Sequence, residues 1–297
     1  MTTRLRIIGA ASGLGAQDRG CADGPVAFHR SQAWHELAGE RHVDWARTLF
    51  PPQMTGAAPV ERVAALCRDL ADEVALTLNE RDFPLVIGGD HSVAIGTWSG
   101  VARAAGAPVG LLWIDAHLDS HTPETSYSGA LHGMPLACLL GRGDKRLLGI
   151  GAPGVQVDAA HAAVIGPRSF EPEEARLLQR LGVRVFVREE LAERGLAECF
   201  AEAAAIVAGA PAGFGISLDL DVLDPDTAPG VGSPEPDGLP LRDLMSGIVA
   251  LAAKRGLLAC EIVEYNPDRD RHGVTARLIA ALIGEMLPHV TGDGRPA

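Results

Sequence analysis

The sequence has few cysteines and few aromatic residues, and these shortages exclude several classes of protein. The five cysteines among the 297 residues are scattered and contain no CxxC pair. Neither a disulfide framework nor a thiolate zinc site is therefore expected, and a reducing cytoplasm fits best. Aromatic residues make up 4% of the chain, whereas hydrophobic residues make up 47%. This composition predicts a sizeable core built mainly from aliphatic side chains.

Positive charge and long apolar segments are also scarce. Lysine and arginine total 26 against 38 aspartates and glutamates, which gives a formal net charge of −12. Such a balance argues against nucleic acid or an anionic membrane as a partner. Residues 1–13 lack the apolar core of a signal peptide, and no uncharged run approaches the length of a membrane span. We therefore predict a cytoplasmic protein.

Short aliphatic runs alternate along the chain with longer amphipathic ones. The runs typical of strands are 6–10, 83–89, 108–116, 163–166, 183–187, 214–221 and 257–264, and those typical of helices are 60–80, 172–182, 241–256 and 273–287. Continuous apolar strands that alternate with helices predict a doubly wound, mostly parallel sheet with helices on both faces, a three-layer α/β/α fold. No linker or fixed-period repeat interrupts the pattern, so we predict one domain over residues 1–297.

Four of the predicted strands end in acidic residues and histidines. The stretches are GGDHS (88–92), IDAHLDSH (114–121), SLDLDVLDP (217–225) and EIVEYNP (261–267). Each alone has a structural explanation: Asp90 or Ser92 could cap a helix, and a lone acidic pair could be a solvated strand rim. In open parallel sheets, however, the strand carboxyl ends share one ligand-binding crevice. Charges about 4 Å apart there interact by roughly 4 kcal/mol, so clustered carboxylates require compensating cations.

The charge balance of these stretches predicts two metal ions. The candidate ligands are the carboxylates of Asp115, Asp119, Asp219 and Asp221 and the neutral imidazoles of His91 and His117. Two divalent cations neutralise the four negative charges. A set rich in oxygen, with imidazole and no sulfur, favours Mn²⁺, with Co²⁺, Ni²⁺ or Fe²⁺ as substitutes. Paired ions of this kind generate hydroxide near neutral pH.

At this point the motifs can be compared with a known family. GGDHS, DAHLD, SGALHG, SLDLDVLDP and EYNP, in this order over residues 88–267, resemble the arginase/agmatinase superfamily of manganese ureohydrolases. The stretch GCADGPVAFHR (20–30) is similar to the N-terminal segment of that family. The resemblance therefore covers nearly the whole chain and is closest to arginase. It implies a homo-oligomer, commonly a trimer or hexamer.

The resemblance also implies roles for individual residues. One metal would be held by His91, Asp115, Asp119 and Asp219, and the other by His117, Asp115, Asp219 and Asp221, with Asp115 and Asp219 as bridges. His132 corresponds to the proton-shuttling histidine and Glu264 to the acid that pairs with the guanidinium group; together with the ligand Asp119 they are the predicted catalytic residues. The implied nucleophile is a hydroxide that bridges the metals, and Asp90 is expected to support a ligand rather than to be one.

The segment from His121 to His132 favours arginase over agmatinase within the superfamily. The resemblance implies that Ser126 and Ser128 bind the α-carboxylate of L-arginine, and that Glu171 and Glu174 lie on the side of its α-amino group. The sequence departs from the family at three positions: His121 and Ala130 replace asparagines, and Glu171 replaces an aspartate. His121 is expected to hold the carboxylate by donating a hydrogen bond. The predicted reaction is the hydrolysis of L-arginine to urea and L-ornithine.

Other functions remain open on the sequence alone. With the same chemistry, the substrate could be agmatine or a guanidino acid such as guanidinobutyrate. The chain could instead be a catalytically silent, arginase-like binding protein, although every predicted ligand and both His132 and Glu264 are present. A binuclear hydrolase of phosphate esters is a third alternative, but lysine and arginine, which would bind the phosphate, are sparse around the motifs.

Overall fold

The computed structural model describes residues 3–39, 42–151 and 153–291. The strands are β1 (Leu5–Ala10), β2 (Val43–Leu49), β3 (Phe83–Gly88), β4 (Val109–Ile114), β5 (Val157–Ile165), β6 (Arg184–Phe186), β7 (Phe214–Asp219) and β8 (Leu257–Val263). The helices are α1 (Gly24–Arg30), α2 (Gln32–Leu37), α3 (Pro59–Asn79), α4 (Ala94–Ala105), α5 (Pro135–Leu139), α6 (Pro172–Leu181), α7 (Arg188–Arg194), α8 (Leu196–Ala208), α9 (Leu241–Ala252) and α10 (Val274–Val290).

The eight strands form one sheet in the order β2-β1-β3-β8-β7-β4-β5-β6, and every neighbouring pair is parallel. All residues of β3, β4 and β7 are buried because helices cover both faces of the sheet. One core cluster joins the sheet to helices such as α8, α9 and α10, and a second joins its other face to α3 and α4. The predicted three-layer α/β fold is therefore confirmed.

The strands missed or misplaced by sequence analysis have identifiable causes. The edge strand β2 was not predicted; its residues are only partly buried, and it carries Asp44 and Arg47 among its apolar residues. Strand β4 ends at Ile114, two residues before the predicted end at 116, so Asp115 already belongs to the following turn. The assignment of residues 1–297 to one domain stays a prediction, and positions 1–2, 40–41, 152 and 292–297 lie outside the described residues.

Among the described residues, the segment Arg271–Val290 is long and apolar enough to cross a membrane by length and composition. It is not an uncharged run, since it contains Arg271, Arg277 and Glu285. Its apolar side chains, including Ile279 and Ile283, belong to the core cluster beneath the sheet. The core helix of a globular protein passes the same test of length and composition.

The strand order explains why the polar motifs meet. The four strands that precede them are β3, β8, β7 and β4, which are consecutive neighbours at the centre of the sheet. Because all of them run parallel, their carboxyl ends lie at the same edge. Residues that are up to 173 positions apart in sequence, such as His91 and Glu264, are thereby brought into hydrogen-bond contact.

Candidate metal centre

The first group of predicted ligands surrounds the imidazole of His91. His91 Nδ1 lies 3.0 Å from Asp119 Oδ2, 3.1 Å from Asp219 Oδ2 and 3.2 Å from Asp115 Oδ2. All four residues are buried. One nitrogen therefore faces three carboxylate oxygens, each contributed from the end of strand β4 or β7.

The second group lies beside the first and shares one carboxylate with it. His117 Nδ1 lies 3.1 Å from Asp221 Oδ2 and 3.4 Å from Asp115 Oδ1. Asp115 therefore presents one oxygen to each histidine, as a bridging ligand must. Asp219 contacts the first group, and its Oδ1 accepts a hydrogen bond from the Asp221 backbone N–H at 2.9 Å. A direct contribution of Asp219 to the second metal stays a prediction.

These distances fit the coordination of cations. Ligand atoms about 2.1 Å from one ion and at right angles to each other are about 3 Å apart. His91 Nδ1 is buried and has no hydrogen-bond partner among the described residues, although three carboxylates lie within 3.2 Å. A metal ion held by this group would satisfy the nitrogen through its lone pair. Five of the six predicted ligands form two adjoining groups suited to metal binding, and the sixth, Asp119, joins the first group through its contact with His91 Nδ1 at 3.0 Å.

The electrostatics of the cluster also require positive charge. Burial, together with the charges of Asp221 and Asp115, raises the pKa of Asp219 well above its usual range. Burial raises the pKa of Asp221 to about 6, although His117 opposes the shift. The pKa of Asp119 is raised by burial and by the charge of Asp115. Three of the four carboxylates therefore resist ionisation in the protein alone, and bound cations would remove that resistance.

A chain of buried hydrogen bonds fixes the orientation of His91. Its Nε2 lies 2.9 Å from Ser217 Oγ, which donates to Glu261 Oε1 at 2.7 Å, and Trp98 Nε1 donates to the same oxygen at 2.7 Å. Trp98 reaches this position because β7 has a glycine beneath it: a Cβ at Gly215 would lie 1.9 Å from the Trp98 ring. With the Nε2 proton directed to Ser217, Nδ1 keeps its lone pair for a metal.

Two site residues adopt left-handed backbone conformations that are uncommon for residues other than glycine. The φ angles are +45° for Asp119 and +65° for Glu264. Such conformations cost of order 1–3 kcal/mol each and persist where the surrounding structure holds them in place. Glu264 directly follows β8, whereas Asp119 lies further along the segment that follows β4, and both side chains line the cavity of the site.

Glu264 lies at the centre of a buried hydrogen-bond network. Its Oε1 accepts from the His91 backbone N–H at 2.9 Å and lies 3.0 Å from His132 Nδ1, while its Oε2 accepts from the Cys21 thiol at 3.1 Å. These donors outweigh burial and lower the pKa of Glu264. Although burial lowers the pKa of His132, the hydrogen bond and charge of Glu264 raise it to about 9. At neutral pH the pair is therefore an imidazolium and a carboxylate.

Asp90 supports the site without facing it. It accepts hydrogen bonds from the backbone N–H of Ser92 at 3.0 Å, from the hydroxyl of Ser92, and from the backbone N–H of Gly15 at 3.0 Å. A Cβ at Gly15 would lie 2.4 Å from Asp90 Oδ1, so only glycine fits there. The Gly15 carbonyl in turn accepts from the His132 backbone N–H at 3.1 Å. Asp90 therefore links the turn that carries His91 to the segment that carries His132.

The metal-ligand groups open into a cavity of about 340 Å³. The predicted site residues that line it are His117, Asp119, His121, His132, Glu171, Glu174, Asp219, Asp221 and Glu264. A small molecule in this cavity would contact the two metal-ligand groups, the His132–Glu264 pair and the carboxylates of Glu171 and Glu174. The site is therefore suited to a small cationic ligand.

Comparison with known proteins agrees with this geometry. The family model described as "Arginase family" matches residues 3–288. The arginase of Brevibacillus brevis is 37% identical over 97% of this chain and 98% of its own length, and that of Bacillus caldovelox is 35% identical over 95% and 97%. The chain belongs to the arginase family. The crystal structure of arginase from Bacillus cereus superposes with a TM-score of 0.89 at 34% identity, covering 96% of this chain and 98% of that one.

Membership of the arginase family confirms several predictions together. The ureohydrolase relationship, the fold and the classification as a metal-dependent amidinohydrolase with a binuclear site are all borne out. The roles of individual residues are not tested by the comparisons and stay predictions.

The three residues on the acidic side of the pocket contact one another. His121 Nε2 lies 2.9 Å from Glu171 Oε2 and 3.3 Å from Glu174 Oε2. Sequence analysis grouped His121 with the hydroxyls that would hold a carboxylate, but its imidazole lies against the two acids. Glu174 is buried and accepts from the backbone N–H groups of Ser120 and Glu171, each at 3.0 Å. Burial raises the pKa of Glu174 to about 7.

The two predicted hydroxyl groups differ in position. Ser128 lines a smaller cavity of about 230 Å³ that shares His132 and Glu264 with the main one. Ser126 Oγ accepts from the Gly129 backbone N–H at 3.0 Å, which shapes the loop. Ser126 does not line the cavity that the metal-ligand groups face. Contact of either hydroxyl with a substrate carboxylate stays a prediction.

The residues that hold the ligands in place were not predicted from the sequence. Ser217 and Glu261 lie inside two of the predicted polar motifs. A polar side chain within an otherwise apolar, buried strand indicates that it has a hydrogen-bond partner, and this signal could have identified both residues. Cys21 carries no such signal, because it lies 243 positions from Glu264. The tight packing of its flanks brings it there: a Cβ at Gly20 would lie 2.4 Å from Asn266 Nδ2, and one at Gly24 would lie 2.3 Å from the Tyr265 carbonyl oxygen.

Proposed function

We propose that this chain hydrolyses L-arginine to urea and L-ornithine with two Mn²⁺ ions. The carrying observation is the pair of metal-ligand groups that share Asp115 and face one cavity with the His132–Glu264 pair. The B. brevis and B. caldovelox relatives, both named arginase, support the substrate. Manganese is supported by the donor set, which is rich in carboxylate oxygen, contains two imidazoles and lacks sulfur.

In this proposal the metal ligands and four other residues of the pocket have defined tasks. The six candidate ligands would hold two divalent ions, which would supply a nucleophilic hydroxide near neutral pH. The carboxylate of Glu264 faces the cavity and pairs with the guanidinium group, so that its carbon is oriented for attack. His132, whose pKa is lowered by burial but raised more strongly by Glu264, donates a proton to the departing amine. Glu171 and Glu174 attract the α-ammonium group at the other end of the substrate.

A guanidino acid is a second candidate substrate, and one observation favours it. The carboxylate of Glu171 already contacts His121 at 2.9 Å, which leaves less of its charge for an α-ammonium group. A substrate such as guanidinobutyrate has no such group to bind. Agmatine, which lacks a carboxylate, would gain nothing from this arrangement.

The test is urea release by the purified protein, stripped of metal and reloaded with Mn²⁺. L-arginine, agmatine and guanidinobutyrate are compared at equal concentration, and bound metal is measured on the same sample. We expect about two ions per chain and the highest kcat/KM with L-arginine. Faster turnover of guanidinobutyrate or agmatine would overturn the substrate assignment, and a protein that binds metal but releases no urea would overturn the activity.

We propose in addition a cytoplasmic homo-oligomer, a trimer or hexamer, that binds neither nucleic acid nor membrane. The five cysteines are few, scattered and buried, which fits a reducing compartment. The net charge of −12 disfavours polyanionic partners. Light scattering coupled to size-exclusion chromatography measures the assembly, and a monomeric mass at micromolar concentration would contradict it.

A further inference from the structure

A loop that leaves β7 passes over the His117 side of the cavity. After the turn that carries Asp221, the chain makes an excursion and returns where Leu223 and Leu239 form an isolated parallel bridge. The return is tightly packed, since a Cβ at Gly238 would lie 1.9 Å from the Asp224 nitrogen. The two ends of the excursion are therefore fixed to each other, directly after a metal-ligand turn.

The guanidinium group of Arg168 joins this loop to the metal-ligand turn. It donates to the carbonyl oxygens of Asp221 at 2.8 Å and Val222 at 3.2 Å, and to those of Glu235 at 2.9 Å and Pro236 at 2.7 Å. Its rigid, planar set of donors suits such simultaneous contacts. The backbone at Glu235 is thereby held at a fixed position relative to Asp221.

In this position the Glu235 carboxylate faces Nε2 of His117, the ring nitrogen on the side away from the metal ligand Asp221. Its Oε1 lies 3.6 Å from His117 Nε2, while Nδ1 of the same ring faces Asp221. The two side chains are similarly half-buried, with 29% and 25% of their surfaces exposed. A decrease of less than 1 Å in this separation would form a hydrogen bond.

We propose that Glu235 is a positioning residue for His117, and that Arg168 holds Glu235 in place for this task. The carboxylate accepts the Nε2 proton of His117, which leaves the Nδ1 lone pair for the metal and increases the basicity of the ring. Glu235 thus does for His117 what the Ser217–Glu261 pair does for His91. The inference rests on the proposed binuclear site, but it concerns metal binding rather than the choice of substrate.

The test compares metal binding by the wild type and by Glu235→Gln. Chelator-stripped protein is titrated with Mn²⁺ by isothermal calorimetry, and the number of ions and both Kd values are determined. Loss of a carboxylate that supports a ligating histidine typically weakens metal binding by about 10–100-fold. Because Glu235 is partly exposed, we expect about 10-fold for one ion and no change for the other.

The matched control is Glu193→Gln, which removes one carboxylate from the exposed face of α7 and should leave both Kd values unchanged. The melting temperature of the metal-free proteins shows whether either variant is misfolded. Two unchanged Kd values for Glu235→Gln would overturn the inference, and so would equal weakening of both ions. If the wild type binds fewer than two ions, the binuclear site itself fails instead, so the two failures are distinguishable.

Discussion

The hydroxyl of Ser217 offers a direct test of how the His91 ligand is prepared for metal. Ser217→Ala removes one oxygen that lies 2.9 Å from His91 Nε2 and 2.7 Å from Glu261 Oε1. Glu261 keeps its hydrogen bond from Trp98, whereas the His91 N–H loses its acceptor in a fully buried position. The variant therefore creates one unsatisfied buried donor and frees the imidazole to exchange tautomers.

The expected magnitudes follow from these two consequences. An unsatisfied buried donor costs about 1–3 kcal/mol of folding free energy. In the other tautomer the proton is on His91 Nδ1, where it faces the carboxylates of the first metal-ligand group, and the nitrogen has no lone pair left to bind a metal. Loss of such a support weakens metal binding by about 10–100-fold, which corresponds to about 1.4–2.7 kcal/mol.

The assay combines urea unfolding of the metal-free protein with Mn²⁺ titration. Ser99→Ala is the matched control, because Ser99 is equally buried but its hydroxyl has no hydrogen-bond partner among the described residues. We expect the control to retain both stability and affinity. If Ser217→Ala unfolds and binds Mn²⁺ like the wild type, the hydroxyl does not fix the tautomer and our account of His91 is wrong.

Three further variants test other parts of the site. Cys21→Val removes the thiol donor to Glu264 and should raise the KM for L-arginine about fivefold, or about 1 kcal/mol, with less effect on kcat. Cys21→Ser keeps a donor and should lie closer to the wild type. Equal KM values for the wild type and both variants would contradict this role of the thiol. The pKa of His132 is about 9 in the folded protein, above its ordinary 6.5, so protonated His132 stabilises the fold fully below about pH 6.5 and this contribution is lost as pH rises through 9. In metal-free His132→Asn, the free energy of unfolding in urea should lack that decline between these pH values. A pH profile equal to that of the wild type would refute the pairing with Glu264. Gly238→Ala places a Cβ 1.9 Å from the Asp224 backbone nitrogen and should destabilise the protein by about 1–3 kcal/mol or more. In the control Gly284→Ala, the new Cβ has no heavy atom within 4 Å, so no such loss is expected. Equal stability of the two variants would contradict the clash.

The candidate site could be predicted from the sequence to the extent that its chemistry is local. Asp115, His117 and Asp119 lie within five positions, and Asp219 and Asp221 lie within three, directly after apolar runs. Parallel strands place their carboxyl ends at one edge, so polar residues that follow several such runs must meet. The rule therefore groups the six candidate ligands from the sequence alone.

The same local signal predicted most of the sheet, including the edge strand β6, but it missed the other edge strand, β2. Strands β3, β4 and β7 are buried on both faces, so their sequences are continuous apolar runs. Strand β2 pairs on one side only and is partly exposed, and its mixed composition does not separate it from a loop. Burial, rather than strand formation itself, is what the pattern reports.

The sequence by itself determined the fold class and the residue types available for metal binding, because these depend on composition and spacing along the chain. Its motifs also resemble those of the arginase family. Only the tertiary structure decided the partners: Cys21 on Glu264, Arg168 on the carbonyls of a distant loop, and His121 against Glu171. Each of these contacts joins side chains or backbone groups 50 or more positions apart. Hydrogen bonds over such separations depend on the order of the strands and on segments that pack closely because glycine has no side chain. Neither of these leaves a periodic pattern in the sequence.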